Sequence, residues 1–143
     1  MVAVVWRQAT ENRETQLKVT RFYTGDDNRS HFEDLEIPQD DTSARGNRSA
    51  VIDVTGLMFR SSDGNSHFLE LHPAPRRQFI LCMAGVVEIE LGNGEKRRFG
   101  AGDVYLADDL TGEGHIHREI EGPLIHAWVH LPADIDVGAW RQG

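Results

Sequence analysis

The sequence predicts an all-β domain whose sheet closes into a sandwich or barrel. Three observations carry that expectation. Apolar segments are short, roughly four to eight residues, rich in β-branched and aromatic side chains, and separated by turn formers. Helical periodicity is scarce while glycine is abundant, at 14 residues. The stretch Val87-Glu88-Ile89-Glu90-Leu91 alternates apolar with acidic residues, the pattern of a strand with one buried and one wet face. Its continuation, Gly92-Asn93-Gly94, tolerates positive φ at successive positions and closes a hairpin onto the strand that ends at Phe99.

In chain order, strands are expected near residues 17–23, 49–59, 67–72, 77–83, 86–91, 95–99, 103–107, 115–120 and 124–131. Gly100-Ala101-Gly102-Asp103 forms a second tight turn between two of them. Residues 24–48 are polar and rich in turn formers, and 38–48 read as a surface loop without regular structure. The tail, 132–143, reads as a short helical or irregular segment anchored by Trp140. No repeat or composition break divides the chain, so residues 1–143 form one domain, with its barrel core at about 49–131 and an N-terminal strand segment at 15–24. Closing the sheet removes exposed edges, and a barrel of this size has room for one small ligand.

Composition narrows the function. Lys and Arg total 15 against 23 Asp and Glu, a formal net charge of -8, and no basic stretch is dense enough to hold a phosphate backbone. Nucleic acid is therefore not an expected partner. The longest apolar run, 79–87, is far too short to span a bilayer. The opening Met1–Trp6 stretch lacks a basic leader, and the single cysteine, Cys82, suits a reducing compartment, so a cytoplasmic protein is expected. Motifs of serine hydrolases, zincins, P-loop nucleotide binders and dithiol redox proteins are absent.

Residues 64–109 resemble the cupin family, small β-barrels also called double-stranded β-helices. The family's motifs are G-x5-H-x-H-x3,4-E-x6-G and G-x5-P-x-G-x2-H-x3-N. In this chain Gln78 precedes Gly85 by seven residues and takes the Glu position, His72 takes the first His, and Ala74 the second. Gly94, Gly100 and Gly102 align with the G, P and G of the second motif, Tyr105 with its His and Asp109 with its Asn. The resemblance implies a single-domain cupin barrel, an interior site and a homodimer. It also implies one divalent metal, yet of the four family ligands only His72 is retained. His115 and His117, two apart on an expected strand, point to one face and are candidate replacements. The candidate metal set is thus His72, Gln78 and His115, suited to zinc, nickel, copper or iron rather than to calcium or magnesium. The competing reading is a barrel that has given up its ion.

Glu70 lies two residues before His72, on the same face, as an acid/base partner or an orienting group. Tyr105 is the candidate proton donor. Arg77, Gln78 and His117 are candidate substrate contacts, with Arg77 able to clamp a carboxylate bidentately. His126, Trp128 and His130 share a face, which suits a ligand wall and is explained better by a dimer or sheet interface; Asp108-Asp109 reads as a turn, Cys82 as core, and His31 as a surface residue. Three functions stay open: a metal-dependent isomerase, lyase, cyclase or dioxygenase on a small organic substrate; a metal-free enzyme resembling sugar epimerases; or a non-catalytic small-ligand binder. Fold does not choose among them.

Overall fold

The computed structural model describes residues 17–43 and 45–141. The expectations for Met1–Trp6, for the start of the N-terminal segment at 15–16 and for the last two residues of the tail lie outside the described residues.

The chain is nearly all β. Ten strands follow in order: β1 Leu17–Thr24, β2 Ser30–Ile37, β3 Asp41–Ser43, β4 Gly46–Arg48, β5 Gly56–Ser62, β6 His67–His72, β7 Gln78–Leu91, β8 Lys96–Phe99, β9 Val104–Asp108 and β10 His115–His130. Eight of them form one sheet along the path β2-β1-β9-β7-β10-β5, with β6 added to β10 and β8 to β7. The other two, β3 and β4, form a small separate hairpin. The only parallel pairing among the described strands is β1 with β9.

Two long strands build the barrel wall. The segments expected at 77–83 and 86–91 are one strand, β7, and those expected at 115–120 and 124–131 are one strand, β10. Each bends where the sequence suggests a break. Gly85 has φ +84°, and a Cβ there would lie 2.7 Å from the carbonyl oxygen of Glu121 and 2.8 Å from that of Pro123. Only glycine allows the β7 bend to nest against the Gly122-Pro123 bend of β10. The register between the strands shifts at this point. The bend folds the sheet over its own inner face, so both halves of β7 contribute to one core: Ile80 and Cys82 from the first, Val87, Ile89 and Leu91 from the second, with Phe22, Phe99, Tyr105 and Leu124 between them.

The outer edge of β10 is covered in two pieces, β6 along its first half and β5 along its second. Glu119 holds the junction: its carboxylate accepts hydrogen bonds from the Ser62 hydroxyl and from the Ser66 backbone N–H, the latter at 3.0 Å. A second core lies on the opposite face of the sheet. There Val19, Leu35, Ile37, Phe79 and Leu106 pack under Leu131, Val137 and Trp140. Trp140 is buried in a 3-10 turn at Gly138–Trp140 and stacks on Phe79 at 5.8 Å between ring centroids, so it anchors the tail.

Three sequence expectations are corrected. Residues 30–37 form β2, because Ser30 and Phe32 face one core while Leu35 and Ile37 face the other. A strand serving two layers shows no clean alternation, and its charged positions hid it. The loop at 38–48 contains the β3–β4 hairpin, closed by an Arg48–Asp41 ion pair. The strand expected at 49–59 runs instead from Gly56 to Ser62, and the preceding residues lay Ile52 on the second core. Val87, Ile89 and Leu91 point inward as expected. Glu88 faces outward but is buried beneath Arg98 and Arg118, which pair with it at 3.1 and 3.5 Å.

Candidate functional site

Directly paired residues of antiparallel strands point to the same side of a sheet. His115, His117 and Glu119 pair with Leu91, Ile89 and Val87, and therefore line the inside. Past the bend, His126, Trp128 and His130 pair with Cys82, Ile80 and Gln78, so this row faces inward too. That corrects the interface reading of His126, Trp128 and His130: the barrel interior is their interface. Across the other edge of β10, Arg60 pairs with His126. Tyr105 pairs with Ile80, and Ala107 with Gln78, placing the Tyr105 ring on the same inner side. A polar lining thus runs the length of β10's inner face.

At its first end His115 is buried. Its Nδ1 donates to Asp109 Oδ2 at 2.7 Å, and the Ser30 hydroxyl donates to the same oxygen at 2.8 Å. A carboxylate on Nδ1 fixes the tautomer and leaves Nε2 as the basic nitrogen. Phe22 meets the His115 ring edge-on at 4.8 Å, and the His72 ring lies 4.6 Å away. His72 Nδ1 donates to the backbone carbonyl of Glu70 at 3.0 Å. The exposed Glu70 carboxylate is not what holds the ring, which corrects the expected acid/base pair.

At the second end Arg60 and Glu119 form an ion pair at 2.9 Å, with the guanidinium at 5.9 Å over the Trp128 ring. Arg60 Nη1 lies on Glu119 Oε2, while Glu119 Oε1 takes Ser62 and Ser66. Burial alone would raise the Glu119 pKa. The hydrogen bonds from Ser62 and Ser66 and the charge of Arg60 outweigh it and hold the carboxyl below its ordinary value. Burial lowers His117 and His126 to about 4, so both imidazoles are neutral near pH 7, with Arg60 adding to the depression. Burial likewise pushes the Tyr105 phenol above its ordinary value, so it stays protonated. The Cys82 thiol, pushed up to about 12 by burial and by Asp103, is inert core.

Four further side-chain atoms of this interior are buried without a hydrogen-bond partner among the described residues: Gln78 Oε1, Asp109 Oδ1, His126 Nε2 and Trp128 Nε1. Gln78 is 4% exposed and His126 1%.

Arg77 does not reach the site. Its Nε and Nη2 grip Asp108 at 2.7 and 3.0 Å, and its Nη1 donates to the carbonyls of Ala133 and Ile135 at 3.1 and 2.7 Å. The bidentate clamp expected for a ligand carboxylate closes on the protein's own Asp108, which also takes Arg21 at 2.8 Å. The Asp108-Asp109 turn is accordingly corrected. One carboxylate staples β7, β1 and the tail, and the next orients His115. His31 pairs with Asp27 at 2.9 Å on the surface.

The candidate metal set is only partly assembled. His72 and His115 meet, and the Nδ1 of each is already committed. Among the described residues no group of three or more His, Cys, Asp or Glu gathers in a way that could hold an ion. Gln78 opens β7, paired with His130 and with Ala107, two residues before the Asp109 that holds His115. Two imidazoles and a neutral amide carbonyl, with no further His, Cys, Asp or Glu gathered to complete the set among the described residues, are a poor donor set for a transition-metal centre.

Sequence reasoning missed Arg60, Ser30 and the role of Asp109 toward His115, and it favoured an interface over the ligand wall that His126 and Trp128 form. It also missed Glu119, although the period of two that joins His115 to His117 continues to it. Arg60 left a fainter signal as a lone charge in the apolar strand Leu57-Met58-Phe59-Arg60.

No protein-family model matches the chain, and no curated protein matches it either. Among solved structures, a putative ethanolamine utilization protein Q from Salmonella typhimurium LT2 is similar in outline. It is 16% identical with a TM-score of 0.44, over 84% of this chain and 99% of that one. The functional reading therefore rests on the chain's own residues.

Proposed function

We propose that the interior of this cupin-like barrel binds a small polar organic molecule and does so without a resident metal. One observation carries the reading: Gln78 Oε1, His126 Nε2 and Trp128 Nε1 are buried and unpartnered on neighbouring inward positions. Cross-strand diagonal neighbours such as Gln78 and Trp128 stand roughly 7 Å apart, within one small ligand's reach. Buried polar groups in native proteins are nearly always partnered, and each one left alone costs about 1–3 kcal/mol. Three together, beside an ion pair and a protonated phenol, are polar groups reserved for a guest.

The test exploits that cost. In the ligand-free protein His126→Leu removes an unpartnered polar atom at similar volume and is expected to be neutral or stabilising by about 1 kcal/mol in urea unfolding. A loss of more than about 1 kcal/mol would mean that His126 serves the fold, and the reading would fall. Elemental analysis of untagged protein addresses the ion separately: stoichiometric zinc, nickel, copper or iron that disappears in His72→Ala would overturn the metal-free site.

A second reading, a metal-free acid/base enzyme, is favoured by the Asp109–His115 dyad. His115, oriented by a buried carboxylate, is a better-placed base than His72, and Tyr105 is the matching proton donor. His115→Asn is expected to keep ligand binding and lose turnover of the bound molecule. Retained turnover would leave a binder.

The partner reading is a homodimer. It is supported by exposed apolar side chains on the free edges of β5 and β6, Leu57, Phe59 and Phe68 among them. A cytoplasmic location is supported by the single buried thiol. No helix among the described residues is long and apolar enough to cross a membrane.

A further inference from the structure

The interior atoms left without a hydrogen-bond partner follow an order along the lining. Ala107 pairs with Gln78, and Asp109 comes two residues after Ala107, so Asp109 stands one step beyond Gln78 on the inner side. In the other direction come Trp128, paired with Ile80, and then His126, paired with Cys82. The unpartnered atoms in that order, among the described residues, are Asp109 Oδ1, Gln78 Oε1, Trp128 Nε1 and His126 Nε2. An amide or carboxylate oxygen accepts, an indole N–H only donates, and an imidazole nitrogen does either according to tautomer. Acceptors therefore lie on one side of this stretch and a donor on the other.

The charges beside Trp128 and His126 already answer one another. Arg60 pairs with Glu119 at 2.9 Å, and burial keeps His117 and His126 neutral near pH 7. A charged guest would lose its hydration there without gaining a free counter-ion. The hydrogen-bond pattern makes the same selection. A carboxylate only accepts and would leave Gln78 Oε1 unanswered, while an ammonium only donates and would leave the indole N–H unanswered. A primary amide serves both sides, with two N–H on its nitrogen and lone pairs on its oxygen. Its donor and acceptor are adjacent, as they are in the carboxamide of Gln78, and glutamine pairs bidentately with such an edge.

We propose that the Gln78–Trp128 stretch of the lining is a carboxamide subsite. The guest presents an uncharged amide whose N–H is accepted by Gln78 Oε1 and whose carbonyl oxygen takes the Trp128 Nε1–H. The inference rests on the interior-site reading above and names the class of its ligand.

Propionamide is the probe. Sodium propionate, propylamine hydrochloride and 2-butanone are its comparators of similar shape, with ionic strength held constant by sodium chloride. Propionate and butanone keep an acceptor and lack the donor, and propylammonium keeps donors and lacks the acceptor. The readout on the full chain is the indole N–H resonance of Trp128, assigned by its absence in Trp128→Phe, together with the melting temperature. Propionamide is expected to shift the resonance saturably and raise the melting temperature, and each comparator to bind about tenfold more weakly or not at all. Gln78→Met, which keeps the length of the side chain without its amide, and Trp128→Phe, which keeps an aromatic ring, are each expected to weaken propionamide binding about tenfold, read from the melting temperature. An equal response to butanone or propionate would show that Gln78 Oε1 requires no donor, and an equal response to propylammonium would mark a cation site. Either would overturn the carboxamide subsite and leave the interior site standing. No response to propionamide, or unaltered binding in both variants, would overturn the subsite as well. The probe series on the unaltered chain decides the matter even where a variant fails to fold. The interior reading itself is judged independently, by the stability of His126→Leu in the absence of any ligand.

Discussion

Single residues in this protein divide into those that hold the barrel and those that wait inside it, and Arg77 marks the division. Its guanidinium makes two contacts to Asp108 and two to tail carbonyls. Lysine keeps the charge and cannot reproduce the fork, so Arg77→Lys is expected to cost about 1–3 kcal/mol of stability in urea unfolding. Weakened ligand binding at full stability would restore the ligand-clamp role. The inner histidines give the opposite kind of signature. His117 and His126 titrate near 4 in the folded chain and near 6.5 when unfolded. Between those values the unfolded chain binds the protons, so stability is complete above about pH 6.5 and falls as the pH drops toward 4, by on the order of 2 kcal/mol per imidazole. Glu119, held below its ordinary value, adds a further loss at lower pH still. Urea unfolding at pH 7.5, 6, 5 and 4.5 should show this decline, and His126→Leu should lose about half of it. A flat profile would mean that these rings are hydrated. Residue types were legible in the sequence here and their partners were not. A period of two places Arg77 beside a strand start and His126 beside Trp128, but whether a face looks inward depends on strands that pair from far along the chain.

At the scale of elements, the sequence showed most strands and misread their lengths. The breaks at Gly85 and at Gly122-Pro123 look like turns between four short strands, yet they are the bends of two long ones. Glycine and proline signal a departure from straight extension without saying whether the chain reverses or curves. The bend gives a sharp expectation. Gly85→Ala adds a Cβ into three backbone atoms of β10 within 2.9 Å, at φ +84°, and should cost upward of about 3 kcal/mol. Gly94→Ala in the β7–β8 hairpin meets nothing within 4 Å at φ +93°, so only the backbone penalty of about 1 kcal/mol remains. Equal urea midpoints for the two variants would show that nesting of β7 against β10 is not what requires glycine at position 85. The missed strand β2 teaches a related lesson, since Phe32 and Leu35 bury toward different cores and a two-layer strand carries no single hydrophobic face.

For the whole molecule, the remaining question is what covers the edge that the barrel leaves open. Among the described residues β5 and β6 each pair with β10 alone, so within that part of the chain their far sides present a row of backbone donors and acceptors. Natural edges are usually blunted by charge or proline, whereas the centre of β5 reads Leu57-Met58-Phe59, with Leu57 57% and Phe59 66% exposed. Phe68 on β6 is 61% exposed as well. A strand edge that meets its own copy antiparallel across a two-fold axis satisfies both backbones and buries both apolar stripes with one patch. A chain of 16.1 kDa should therefore sediment at twice that mass at micromolar concentration. Phe59 lies on the outer side of β5, away from the Arg60 row, so Phe59→Lys should yield a folded monomer. An unaltered chain that sediments as a monomer at about 50 μM would leave this edge to a different partner.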